Sequence, residues 1–351
     1  MICPHCETSL LRKERPGNRC GTCGRSYALD PKTNPLGLHD LRVRRIVARL
    51  TQDGRLPCTP GQLWYALARK SLRASQVDTG CAIVLGVLGA IALFIAAGSE
   101  VMAFGVGGGL LLLVALGFVV ARVMGVGRGR PRLSRTDFRT GPLEEWKSVY
   151  GSLPPGVIDD SRYPSPHAGP AHDATGPAPA TPSDRLVLVC PDRSVAVFLD
   201  AAGLTARHRL TLVADPAALP AAPGAGPVLV LHDADARGLL LARRVRLAQP
   251  GRPVVDVGLP LGAVHGLARA VPVRGEPPGP TVMARLRDSG EFSRDQLKWL
   301  AKGWGFPLVG VPPAKLLAVV SRAVERAGAA AETQRRRAAD IGFMTWPREG
   351  G

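Results

Sequence analysis

Residues Val228–Arg246 read VLVLHDADARGLLLARRVR. A short apolar run ends in two aspartates, Asp233 and Asp235, one residue apart, and then a glycine and a helical stretch follow. The neighbouring sequence repeats this alternation. Arg185–Cys190 (RLVLVC), Arg209–Ala214 (RLTLVA), Pro227–Asp233 (PVLVLHD) and Pro253–Leu259 (PVVDVGL) read as strands, with RSVAVFLDAAG and ARGLLLARRVRLA as helices between them. Short apolar strands interleaved with helices imply a mainly parallel sheet covered on both faces. Ligands of such sheets bind beyond the carboxyl ends of the strands, which is where Asp233 and Asp235 fall.

Two carboxylates at i and i+2 leaving a strand point the same way and can share one hard divalent cation, usually Mg²⁺. The competing reading is that Asp235 only caps the helix that follows. The run HDADARGLLLARRVR resembles the D-x-D-P-x-G-x-x-I-A signature of Toprim domains, those of the type IIB topoisomerase A subunit above all. Asp233 and Asp235 match the pair and Gly238 the glycine, while Ala236 stands where the family has proline. FPLVGVPPAKLLAVVSRAV is similar to the closing stretch of that family, so the resemblance covers roughly residues 184–326. It implies an Mg²⁺ held by the pair together with a Glu at the end of the first strand, used for strand cleavage. Here that strand is followed by Pro191 and Asp192. Asp192 is a candidate substitute one position late, so the candidate catalytic set is Asp192, Asp233 and Asp235. The resemblance is equally compatible with a degenerate domain that keeps the fold and has lost the chemistry. TPGQLWYALARK is faintly similar to the family's winged helix, with Tyr65 at the place of its nucleophile, although a Trp-Tyr pair on an amphipathic helix is more often packing.

Residues 1–30 carry a second signal. Cys3 and Cys6 form one C-x-x-C pair and Cys20 and Cys23 another. Thiolates at i and i+3 on a tight turn reach one tetrahedral Zn²⁺, so this segment resembles a zinc ribbon with a structural metal and no open coordination site. A ribbon this small unfolds without its metal. Paired C-x-x-C in a chain with seven cysteines points to metal rather than disulfides and to a reducing compartment, and the N-terminus has no apolar signal-peptide core.

Residues 36–75 read as two amphipathic helices joined by a turn, the second N-capped by Thr59 with Pro60 at its first position. Within residues 78–124, CAIVLGVLGAIALFIAAG (Cys81–Gly98) and VMAFGVGGGLLLLVALGFVVA (Val101–Ala121) are long, apolar and without a polar face. At 1.5 Å per residue each suits roughly 30 Å of hydrocarbon, so a transmembrane hairpin is expected, packed through its glycines. Arg69, Lys70 and Arg73 before it, and Arg122, Arg128, Arg130, Arg132 and Arg135 after it, place both termini in the cytoplasm and the protein in the inner membrane. Residues 125–183 are a juxtamembrane segment and a linker rich in Pro, Ala and Gly, whose His167 and His172 are read as solvated rather than metal-bound. Residues 327–351 form a basic tail.

The net charge of +17 over 351 residues favours anionic partners, nucleic acid or lipid, although seven lysines against 38 arginines also reflect a GC-rich coding bias. The expected architecture is multidomain: zinc ribbon, helical hairpin, two transmembrane helices and a Toprim-like α/β domain. Two functions compete. One is a membrane-anchored protein whose α/β domain binds Mg²⁺ and nucleic acid or nucleotide. The other is a non-catalytic scaffold that recruits protein partners through the ribbon and the degenerate domain. Apolar spans disfavour a channel or transporter.

Overall fold

The computed structural model describes residues 1–74, 79–98, 102–124, 127, 129–164, 186–221, 226–267 and 269–340. The linker histidines and the last eleven residues of the tail lie outside this set. The chain divides into two compact units, Met1–Leu67 with Leu133–Gly351, and Ala68–Arg132.

In the larger unit the four apolar runs form a parallel sheet of β1 (Val187–Val189), β2 (Thr211–Val213), β3 (Val228–Val230) and β4 (Val254–Asp256), in the order β2-β1-β3-β4. Val187 pairs with Thr211 on one side and Val228 on the other, and Val228 pairs with Val254. All three residues of β1, β2 and β3 are buried, as continuous apolar runs in a two-faced parallel sheet require. One face packs Val187, Val189, Val228 and Val230 against Leu241 and Val245 of α9 (Leu241–Ala248). Helix α7 (Arg193–Ala201) buries Val195–Leu199, and α8 (Leu204–His208) follows it. The chain leaves β1 for β2 on one side and returns to β3 on the other, so the topological switch lies between β1 and β3.

A second cluster forms beyond β3. Ala234, Ala236, Leu240, Leu261, Met283, Leu286, Leu300 and Phe306 pack together. They come from the turn after β3, α10 (Leu261–His265), α11 (Pro280–Asp288), α12 (Arg294–Ala301) and the end of the antiparallel pair β5 (Val273–Arg274) and β6 (Trp304–Gly305). Ser293 and Gln296 close a reciprocal capping box on α12, as their spacing indicates. An isolated bridge, Ala234 to Phe306, ties this layer to the end of β3.

The first N-terminal helix and the start of the second belong to this same unit. Helix α1 (Asp40–Thr51) touches the long α13 (Pro313–Asp340), and α2 starts at Pro60 and ends at Arg73. The Tyr65 hydroxyl donates to the Val271 carbonyl at 2.7 Å, and Gly310 lies so close to the Tyr65 ring that a Cβ there would come within 2.6 Å of it. Tyr65 is therefore a packing residue with its hydroxyl already used. The segment expected as linker is ordered over its first part. Val157 bridges Cys58, and Asp160 is buried. Before it, α5 (Arg135–Phe138) and α6 (Glu144–Tyr150) lead from Leu133, whose carbonyl accepts from Trp64 Nε1 at 2.9 Å.

The smaller unit holds a helical hairpin, α3 (Thr79–Gly98) and α4 (Met102–Val123). Its helices approach at Gly89 and Gly108, where an added Cβ would stand 3.0 and 2.9 Å from the opposite glycine's carbonyl oxygen. Ile83, Val87, Ile91, Phe94, Leu110 and Leu113 are exposed, Phe94 by 82%. Among the described residues no helix is long and apolar enough to cross a membrane, which overturns the expected transmembrane hairpin. The membrane anchor and the inner-membrane placement with both termini cytoplasmic fall with it, because the flanking arginines have no span to orient.

Candidate functional site: a four-cysteine centre and the acidic edge of the sheet

The two C-x-x-C turns fold alike. Glu7 N–H donates to the Cys3 carbonyl (3.1 Å) and Gly24 N–H to that of Cys20 (2.8 Å), closing each knuckle at a left-handed residue, Glu7 at φ 59° and Gly24 at φ 69°. Backbone N–H groups of His5 and Cys23 point at Sγ of Cys3 and Cys20, each at 3.4 Å. The four sulfur atoms lie within 4.8 Å of one another, with Cys3–Cys23 and Cys6–Cys20 both at 3.8 Å. A tetrahedron built from 2.3 Å metal–sulfur bonds has edges of about 3.8 Å, so the residues fit one thiolate-bound ion. Hydrogen bonding with Thr8 holds the Cys6 thiol down to about 6, whereas, against the Arg25 backbone bond, burial and the other cysteines push Cys23 up to about 11. The centre is joined to the rest of the unit. Asp40, fully buried at the start of α1, accepts from Ala28 N–H and Leu29 N–H at 2.9 Å each and from the Tyr150 hydroxyl.

The sheet edge is arranged differently from a cation site. Asp192 follows β1 as expected, but both its oxygens are taken. Arg135 donates Nη1 to Oδ2 (2.9 Å) and Nη2 to Oδ1 (3.1 Å), and Val195 N–H caps α7 on Oδ1 (3.2 Å). Asp235 Oδ1 accepts the N–H groups of Arg237 (3.1 Å) and Gly238 (2.6 Å), which is the capping role. Gly238 is required there, because a Cβ would stand 2.2 Å from the Asp233 carbonyl oxygen. Asp233 Oδ1 accepts Leu308 N–H at 2.7 Å. Burial, and then the charges of Asp192 and Asp235, push the Asp233 carboxyl up to about 7, against the Leu308 hydrogen bond and the Arg135 charge. Asp233 and Asp235 line a cavity of 280 Å³ with Arg237, Glu276 and Trp304. Among the described residues the four cysteines are the one group of three or more side chains gathered closely enough to hold a metal. Asp192, Asp233 and Asp235 do not form such a group.

Sequence reasoning missed three groups here. Arg135, 57 residues before Asp192, supplies the cation that the acids face. Asp160 is buried between Arg139 (2.5 Å) and the Ser194 hydroxyl. His232 is buried with Nδ1 2.7 Å from the Asp233 carbonyl and Nε2 3.1 Å from Asp256 Oδ1. Both ring nitrogens face acceptors, so the ring is satisfied as an imidazolium donating twice. Burial alone would lower its pKa, but the bonds to Asp256 and to the Asp233 carbonyl outweigh that and raise it. The Ser-x-x-Asp cap at Ser134 and the HDAD run mark these places in the sequence, but nothing local reveals their partners.

No family model matches the chain, and comparison with curated proteins and with solved structures finds no similar one.

Proposed function

We propose that this chain is a non-catalytic binding module, a Toprim-like α/β domain that has lost strand-cleavage chemistry and is stabilised by zinc in its N-terminal ribbon. The bidentate Arg135–Asp192 pair carries this reading. Where the resemblance calls for a free carboxylate to hold Mg²⁺ and act as base, the chain has an aspartate neutralised by its own guanidinium and committed to a helix cap. In-line phosphoryl chemistry then lacks both a third ligand and an activating group. The parallel order of the sheet, the D-x-D turn after β3 and the close fit of Gly238 support the resemblance. Zinc is the expected ion because four thiolates in a closed tetrahedron select it. The positive charge makes nucleic acid or nucleotide the expected partner class.

The test is to incubate the purified full chain with supercoiled and single-stranded DNA in Mg²⁺ or Mn²⁺. No cleavage is expected, and one equivalent of zinc is expected by elemental analysis. Metal-dependent cleavage that disappears in Asp233→Ala would overturn the reading.

A further inference from the structure

The carboxyl edge of β1 carries another cavity, lined by neither Asp233 nor Asp235. Its volume is 430 Å³, and three arginines line it, Arg135, Arg139 and Arg193. Its two carboxylates, Asp160 and Asp192, are already satisfied. Asp160 takes Arg139 on Oδ1 and the Ser194 hydroxyl on Oδ2, and Asp192 takes Arg135 on both oxygens and Val195 N–H on one. The donors are not used up in the same way. Arg139 gives one Nη to Asp160, and its other N–H groups meet no protein acceptor among the described residues. Arg193 spends Nε on the Asp160 carbonyl and one Nη on the Tyr163 carbonyl, each at 2.8 Å, and keeps the other Nη. Three guanidiniums against two carboxylates leave the cavity positive, and its unspent polar groups are donors. What fits such a place is a ligand that only accepts, with negative charge. The cavity also stands beside the β1/β3 switch point, the position where parallel sheets bind ligands, and at the start of the nine-residue α7, whose dipole favours an anion.

The geometry points to an oxyanion site at this cavity, in which Arg139 and Arg193 hold a phosphoryl group, either a terminal phosphate monoester or a backbone phosphodiester. Arginine's planar fork suits that geometry. Arg135 serves as a positioning residue, because its two Nη groups stay on Asp192 and keep that carboxylate from repelling the ligand. The site is separate from the acidic D-x-D turn and does not depend on whether cleavage chemistry is lost.

The experiment uses the full zinc-loaded chain. Inorganic phosphate is titrated against chloride at matched ionic strength by calorimetry and by thermal shift, and single-stranded oligonucleotides with and without a 5′-phosphate are used as competitors. Saturable phosphate binding is expected. Arg193→Gln should weaken it about tenfold. Thr136→Glu, at an exposed position on the cavity lining with no hydrogen bond to Asp160 or Asp192 among the described residues, should weaken it as much while leaving zinc content and melting temperature unchanged. Competition by the 5′-phosphorylated strand alone assigns the site to a monoester, and equal competition by both strands assigns it to the backbone. Phosphate binding no stronger than chloride, or binding untouched by both variants, overturns the site. Metal-dependent DNA cleavage would overturn the non-catalytic reading and leave this site standing.

Discussion

At the scale of the residue, Asp233 makes the sheet edge sensitive to pH. Its folded carboxyl is raised from 3.8 to about 7, so the folded state holds its proton more tightly than the unfolded chain. The stability it contributes is fully present below about 3.8 and is lost as pH rises through about 7. Asp233→Asn keeps an oxygen for Leu308 N–H and removes the charge. Urea unfolding should show the variant more stable than wild type by about 2–4 kcal/mol at pH 8, with the gap shrinking steadily toward pH 4. If a bound cation rather than a proton met the cost of this charge, the variant would be the less stable form at pH 8. His232 acts in the same sense, since its raised pKa gives stability below 6.5 that fades as pH rises through the folded value. A second residue-scale prediction concerns Glu7. It occupies the left-handed position that glycine fills in the other knuckle, so Glu7→Gly should stabilise the ribbon by about 0.5–1 kcal/mol, read as a higher melting temperature. The aspartates and cysteines were legible in the sequence because their spacing is local. Arg135 and Asp160 were not, because an ion pair across 57 residues and a buried carboxylate inside a Pro-rich stretch leave no periodic trace.

At the scale of the element, the strands were readable because each is a short run of Val and Leu ended by Pro, Asp or Gly, and the sheet buries those runs on both faces. The two long apolar runs were readable as helices, and the spans expected from them do not stand, because no helix among the described residues is long and apolar enough to cross a membrane. The ribbon was recognisable, but its attachment was not. Asp40 receives two backbone N–H groups from residues 28 and 29 while heading α1 and meeting Tyr150 of α6. Asp40→Ala would leave buried donors unpaired and should cost about 2–4 kcal/mol in chemical unfolding. Chelation of the ribbon metal should raise amide exchange in α1 and α6 as well as in residues 1–30. Exchange confined to the ribbon would show that Asp40 does not transmit the loss.

At the scale of the whole molecule, residues 68–132 form a unit inserted into another whose two borders are held together. Trp64 reaches the Leu133 carbonyl at 2.9 Å, so the larger unit closes on itself without the insertion. Replacing residues 75–128 by a short Gly/Ser linker should leave the melting temperature of the larger unit within a few degrees, as two-state domains with unaltered cores do. It should also reduce self-association seen by light scattering, because the exposed side chains around Phe94 form the kind of apolar patch that drives association. The tie between Tyr65 and Val271 has another consequence. These residues stand 206 positions apart in the chain. On the ribosome, at 5–20 residues per second, the amino-terminal helices emerge many seconds before the surface they cover has been synthesised. During that wait the leading end is held by local structure, the two cysteine knuckles and the bonds of Asp40 to Ala28 and Leu29, and not by the surface it will finally cover.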